Sequence, residues 1–298
     1  NAKKLAALGM HIPVIYAGNT ALRTVVKEVF GNAGQEVLLA PNVFPDVDVL
    51  NVDPVRNLIQ EAFSRHIIHA PGMETLAKIT SRPVIPTPGA VLRAAEIFAD
   101  ALGDVLVLDV GGATTDVHSV SDGSPEWAEK LVDPEPHAKR TVEGDLGVYV
   151  NAANILELSS DERWKQRAPD IQAMPATDAQ REMTRWLCAR AVETGVRRHA
   201  GVIADLYTPT GRRQVVRGKD LSAVRWVVGT GGALTKVPGG DEILHSVCTG
   251  PAKYLFPKPE ARIILDTQYL FSAMGTIADR YPDAVRRTFE EWVKGAAR

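Results

Sequence analysis

The chain is poor in the residues that staple a fold from outside. Its 298 residues include two cysteines, Cys188 and Cys248, which have neither a metal-ligand nor a redox spacing. They are expected as small buried hydrophobes, which points to reducing, cytoplasmic surroundings. No run nears the ~20 apolar residues that a bilayer crossing needs, and nothing after Asn1-Ala-Lys-Lys-Leu5 reads as a signal segment, so no membrane role is expected. Neither sign of charge dominates. The 34 Lys and Arg against 36 Asp and Glu leave a formal charge of −2, which excludes a general attraction to nucleic acid or an anionic membrane. No internal repeat stands out. What is present is 45% hydrophobic and 23% charged residues, enough to bury sizeable cores in two domains without staples.

Strand-length apolar runs alternate with helix-length periodic stretches, the pattern of an α/β fold. Ile12-Pro-Val-Ile-Tyr-Ala17 reads as a buried strand, Gly18-Asn19 as a turn, and Thr20 as the cap of a helix reaching about Phe30. Residues 37–40 read as a second strand. Asp53-Pro54 supplies a cap and an N1 proline to a helix over residues 55–66. Pro83, Pro86 and Pro88 then cluster before Gly89 and a helical pattern rich in small residues at 90–101, which marks a domain boundary. Strands follow at 105–108 and 117–120, joined as a hairpin. After a connector at 122–136, helices are expected from near Leu146 and over 177–199, and a second hairpin over 200–216. Strands at 225–228 and 263–265 follow, and two terminal helices at 268–278 and 283–295.

Three segments suit a polyanionic phosphate. In Asp109-Val-Gly-Gly-Ala-Thr-Thr-Asp116, between two strands, Gly111 and Gly112 let backbone N–H groups approach an anion closely. Ala113 lies between them and the hydroxyls of Thr114 and Thr115. Asp109, at the exit of a buried strand, is placed for a Mg2+ ion, which accepts one or two carboxylates, and Asp116 is a second candidate metal ligand. A plain glycine turn with acidic flanks would use the same residues, but the composite pattern favours phosphate. Glu143-Gly-Asp-Leu-Gly147 leads into the helix expected from near Leu146; a helix N-terminus favours anions, Gly144 is a candidate contact, and Glu143 or Asp145 could orient a water or hold a metal's water shell. An acidic cap beside a turn glycine is an equal reading of that segment. In Gly229-Thr-Gly-Gly-Ala-Leu-Thr235, the glycines Gly229, Gly231 and Gly232, with Ala233, allow a planar base and ribose to rest on backbone. An ordinary strand-to-helix turn could look the same.

The Asp109 segment resembles the second phosphate loop of the actin, sugar-kinase and DnaK-type chaperone superfamily, and the Gly229 segment its adenosine motif. Together with residues 105–120, Thr141-Val-Glu-Gly-Asp-Leu-Gly147 and Gly218-Lys-Asp-Leu221, these segments resemble one branch. That branch is the GlmL/MutL family associated with glutamate mutase, which is unrelated to the mismatch-repair ATPase of similar name. The resemblance runs over nearly the whole chain. It implies an actin-like (ribonuclease H-like) ATPase fold binding ATP or ADP with Mg2+. Residues 1–89 would be the remainder of a first domain and 90–102 a connecting helix. Residues 103–266 would form the second domain, with helices over 267–298 packing back toward the first. It further implies an ATP-dependent, chaperone-like reactivating factor for an adenosylcobalamin-dependent mutase or aminomutase, possible oligomerisation included. The superfamily's first phosphate loop has no counterpart before Asp109, so the N-terminal part of the first domain is expected to be missing, and weak nucleotide binding by this chain alone follows.

A small-molecule kinase on the same fold, with Asp145 as base, and a non-catalytic assembly module are the other classes this pattern admits. His66 and His69 have helix-face spacing, but no cluster completes a metal site. Arg197-Arg-His199, Arg212-Arg213, Arg217 and Lys219 read as solvated faces, and Trp186, Trp226 and Trp292 as core or interface.

Overall fold

The computed structural model describes residues 1–10, 12–47, 49–67, 73–80, 84–209 and 211–296. His69, the side chain of His66 and Pro83 lie outside the described residues. The chain divides between Ile85 and Pro86 into two compact units.

The first unit runs through α1 (Ala2–Ala6), β1 (Val14–Tyr16), α2 (Arg23–Gly31), β2 (Val37–Leu39), α3 (Asp53–Ile67) and α4 (Met73–Ile79). Strands β1 and β2 pair in parallel, Val14 with Val37 through Tyr16 with Leu39. Parallel neighbours need a crossover, which α2 supplies. Its apolar stripe buries Val26 and Phe30 with Ala6 in a small core that also takes Val14, Tyr16 and Val37. The turn before α2 is capped by Asn19, whose side chain accepts from the Ala21 N–H at 2.9 Å, rather than by Thr20, and a 3-10 turn at Thr20–Leu22 precedes the helix.

The second unit carries α5 (Thr87–Leu102), β3 (Val105–Val110), β4 (Thr115–Val120), α6 (Pro125–Ala128), β5 (Ala138–Glu143), α7 (Ala152–Glu157), α8 (Glu162–Gln166) and α9 (Asp178–His199). It continues through β6 (Val202–Thr208), β7 (Gly211–Arg217), β8 (Trp226–Thr230), α10 (Gly232–Thr235), α11 (Gly240–Ser246), β9 (Arg262–Leu265), α12 (Leu270–Ile277) and α13 (Pro282–Ala296). Five strands make a mixed sheet in the order β5-β4-β3-β8-β9. Strand β4 runs antiparallel to β5 and β3, and β3, β8 and β9 run parallel. Strands β6 and β7 form the separate antiparallel hairpin.

Side chains alternate across a strand, so each strand of the mixed sheet feeds two cores. Leu106, Leu108, Val110, Val117 and Val227 join α9 and α11 on one face. Val105, Val107, Val120, Val228 and Ile264 join α5, α12 and α13 on the other. There Phe98 of α5 meets Phe271 and Phe289 at ring-centroid distances of 5.5 and 5.4 Å. The near-continuous apolar runs at 105–108 and 226–228 are what a strand covered on both faces requires. The helix read from sequence as a connector, α5, packs on the sheet within this second unit, and α12 and α13 pack against it.

Two sequence expectations are corrected. Residues 138–143 form β5, an edge strand in a stretch that the sequence reading assigned to no element, between the connector at 122–136 and Leu146. No helix starts near Leu146, where a turn leads instead to α7 at Ala152. The pattern of β5, Ala-Lys-Arg-Thr-Val-Glu, is too polar to announce a strand. Its pairing with β4 from Ala138–Val120 to Glu143–Thr115 supplies what its own hydrophobicity does not.

Candidate functional site

The hairpin register closes on Val110 opposite Thr115, which leaves Gly111–Thr114 as its loop. Gly111 N–H donates to the Thr114 carbonyl at 2.9 Å. The segment after β5 lies against the loop: Val148 N–H donates to Gly111 O (3.1 Å), and the Tyr149 and Val150 N–H groups to Gly112 O (2.9 and 2.7 Å). Asn151 Nδ2 donates to Ala113 O (2.7 Å) and to Gly144 O (2.8 Å), tying the Asp109 and Glu143 segments together. Gly147 permits this approach, because an added Cβ would collide with the Ala113 backbone. The loop carbonyls are therefore occupied. The exposed N–H groups of Gly112 and Ala113 make no hydrogen bond among the described residues. Free, adjacent backbone donors of this kind suit an anion. The hydroxyl of buried Thr115 donates to Leu146 O at 2.6 Å, which leaves Thr114 as the loop hydroxyl.

Asp109 and Asp116 face each other across β3 and β4. Directly opposed residues share a face, and the alternation puts both on the side covered by α5. Thr230, beside Asp109 on β8, and Asp266, just past β9, complete a polar group at the same end of that face. Asp266 is fully buried; it accepts from the Leu270 and Phe271 N–H groups of α12 at 2.7 and 3.0 Å and from the Thr230 hydroxyl at 3.4 Å. Burial, with the charge of Asp266, pushes the Asp109 carboxyl up to about 6. Burial, then the charge of Asp109, pushes Asp116 up to about 7 against the opposing influence of Arg140. Oδ1 of Asp116 has no hydrogen-bond partner. Two adjacent carboxylates, Asp116 buried and Asp109 half-buried, that resist sharing one site as anions, one with an unpartnered oxygen, fit a cation. Mg2+ needs only one or two such ligands. Among the described residues no three His, Cys, Asp or Glu side chains gather as a metal cluster.

These raised values set a pH dependence in the absence of metal. A carboxyl with a folded-state pKa above its unfolded value stabilises the fold at low pH, and that contribution disappears as pH rises through the folded pKa. Between about pH 4 and pH 7, ionisation of Asp116 therefore costs stability. Asp116→Asn is expected to unfold at higher denaturant than wild type at about pH 8, by on the order of 2 kcal/mol, with the advantage shrinking toward pH 5. Denaturation in the presence of chelator at both pH values measures it, and a variant less stable at pH 8 would contradict the assignment.

The Gly229 segment leaves β8 beside Asp109. Gly231 has φ of 86°, and an added Cβ there would lie 2.7 Å from Asp109 Oδ1 and collide with Val110 O. Only a residue without a side chain brings this loop onto the end of β3. Gly229 and Ala233 are buried, while Gly232 is exposed and opens the single turn of α10. The two glycine segments and the carboxylate pair thus meet at the carboxyl ends of β3 and β8, where ligands of open α/β sheets bind.

Glu143 and Asp145 lie at the same end but not on the same face. Glu143 opposes Thr115, so it projects toward α9. There Arg198 donates to Glu143 Oε2 at 2.6 Å and to both oxygens of Asp145 at 2.8 Å. The Arg198 bonds hold the Asp145 carboxyl below the usual carboxylate range. The helix expected from near Leu146 does not follow Gly144, and the segment is a strand end followed by a turn.

Sequence reading took Arg198, His199 and Lys219 as solvated; Arg198 is exposed, though paired, while the structure corrects His199 and Lys219. His199 is buried between the Ser119 hydroxyl (2.8 Å from Nε2) and the Thr141 hydroxyl (2.9 Å from Nδ1), and burial lowers its pKa. Lys219 is buried and donates to the Ser121, Pro136 and His137 carbonyls at 2.6, 2.5 and 3.2 Å; burial lowers it to about 8. Part of the Gly218–Leu221 motif is therefore structural. Arg212, Arg213 and Arg217 are exposed as expected. Trp226 and Trp292 join the α5 core and Trp186 stacks on Trp164 at 4.7 Å. Cys188 and Cys248 are buried free thiols. Asp266 and His118 escaped the sequence reading. His118 is fully buried on β4, with neither ring nitrogen hydrogen-bonded, and burial lowers it to about 3. A single acid after the short apolar run 263–265, at the head of a helix, was the available signal for Asp266.

The fold and site define an α/β protein that gathers two glycine loops and a carboxylate pair at one end of a mixed sheet. The family model described as "MutL protein" matches residues 1–293. "Protein MutL" of Clostridium tetanomorphum is 36% identical over 317 aligned positions, spanning 98% of this chain and 69% of the relative. The chain belongs to the MutL family. No helix among the described residues is long and apolar enough to cross a membrane.

Proposed function

We propose that this chain carries the Mg-ATP site of an actin-like ATPase that reactivates an adenosylcobalamin-dependent mutase or aminomutase, glutamate mutase first among candidates. The observation that carries the nucleotide part is the seating of the Gly231 loop against Asp109, beside the free N–H groups of Gly112 and Ala113. Membership of the MutL family, with the association with glutamate mutase that the sequence resemblance implies, supports the partner part.

In this reading Asp109, with Asp116, holds Mg2+, the 111–114 loop holds phosphate, and Gly229–Ala233 receives the adenosine. Bound Mg2+ would offset the charge of the phosphates. Asp145 stays ionised beside Arg198, which also bonds Glu143. A carboxylate held acidic by a bidentate guanidinium is a poor proton acceptor but a good fixed acceptor for orienting water. That favours hydrolysis driving a conformational cycle over the alternative of a small-molecule kinase needing Asp145 as base. The buried free thiols agree with a cytoplasmic setting.

The test combines the full-length protein, oxygen-inactivated glutamate mutase, Mg-ATP and fresh adenosylcobalamin. Return of mutase activity that requires ATP is expected, and no return with any candidate mutase would overturn the partner assignment. Arg198→Ala should leave stability within about 1 kcal/mol of wild type, because its pairs are partly exposed, while lowering ATP turnover roughly tenfold. Steady-state kinetics beside a denaturation curve separates the two, and unchanged turnover would remove Arg198 from the site.

A further inference from the structure

At the opposite end of the sheet, where β8 and β9 begin, lies a concavity of about 360 Å³ that the nucleotide reading leaves unused. Its register places it remotely: Trp226 is paired with Val105 and Thr230 with Asp109, so four residues of strand, roughly 13 Å, separate the two. Arg225, Lys258 and Arg262 all line it, and no ion pair holds any of them among the described residues. Glu260 is the one acidic residue in the lining and pairs with none of the three.

The cations are positioned by the fold. Arg225 N–H donates to Asp104 O at 2.9 Å, and Arg262 N–H to Arg225 O at 2.8 Å. Arg262 sits across from Trp226 in the strand register, with its guanidinium 5.2 Å from the indole centroid. Trp226 is fixed in turn by its indole N–H, which donates to Leu102 O at 3.1 Å. Ser222, also in the lining, has a buried hydroxyl without a hydrogen-bond partner.

We propose that this concavity is a binding site for a phosphate group, free or carried by a small molecule. Two guanidiniums and an ammonium with little counter-charge match a dianion, and planar guanidiniums suit phosphate oxygens.

The test titrates the protein with inorganic phosphate at constant ionic strength, by calorimetry and by the Trp226 indole N–H resonance, with succinate as the carboxylate probe. Saturable binding that moves the Trp226 resonance is expected. Arg225→Gln or Lys258→Gln should weaken it at least about tenfold, and Asp109→Asn should leave it unchanged. Lys258 lies in an exposed segment, so that variant keeps the test independent of folding. No movement of the resonance, loss of binding in Asp109→Asn but not in Lys258→Gln, or tighter binding of succinate than phosphate would each overturn the proposal.

Discussion

A Gly231→Val variant is expected to lose about 3 kcal/mol of stability and the nucleotide site with it. The backbone at this position has φ of 86°, and a Cβ would meet the Val110 carbonyl and stand 2.7 Å from Asp109 Oδ1. Two separate penalties add. A branched side chain in the left-handed region costs roughly 1–3 kcal/mol, and forcing the loop off the end of β3 costs about as much again. The displaced loop is the one that would receive adenosine, so affinity for Mg-ATP should fall together with the unfolding midpoint. The neighbouring glycine is the control: a Cβ at Gly232 meets nothing within 4 Å, and Gly232→Ala should stay within about 0.5 kcal/mol of wild type. Denaturant unfolding and calorimetric Mg-ATP titration of both variants measure the contrast. Equal behaviour of the two would show that the close approach has no consequence.

Asp109→Ala should separate binding from folding in the opposite way. Asp109 is a desolvated carboxyl raised to about 6 beside Asp116 and Asp266, so its negative charge at neutral pH is not what holds the sheet together. Its removal should change stability by about 1 kcal/mol or less. If the residue acts through Mg2+, affinity for Mg-ATP should fall at least about hundredfold, while the weak affinity for ATP in chelator stays nearly unchanged. Calorimetry with and without Mg2+ reads both numbers. An equal loss in the two conditions would assign Asp109 to loop structure instead of the metal.

Much of this arrangement was legible in the sequence because the features that carry it are local. The runs 105–108 and 225–228 announce strands buried on both faces, and glycine pairs at their ends announce backbone that must come close to something. What the sequence concealed is non-local. Strand β5 is a strand because β4 offers it a ladder, and its own residues are too polar to say so. That Glu143 points to the α9 face while Asp109 and Asp116 point to the α5 face is a matter of register, which a motif does not encode. Lys219 read as a surface charge, and the pairing of exposed Arg198 stayed hidden, because the carbonyls and carboxylates that hold them lie dozens of residues away. Asp266 joins the site only through the parallel pairing of β8 with β9.

The central claim is that Asp109 and Asp116 receive a metal ion together with nucleotide, and proton release measures it most directly. With carboxyl values of about 6 and about 7, the pair holds close to one proton at about pH 6.5, and a cation must displace it. Titration of the protein with Mg-ATP in two buffers of different ionisation enthalpy should report about one proton released at pH 6.5 and almost none near pH 9. Asp116→Asn should abolish most of that release. Binding with no proton release at either pH, or release unchanged in Asp116→Asn, would contradict the account.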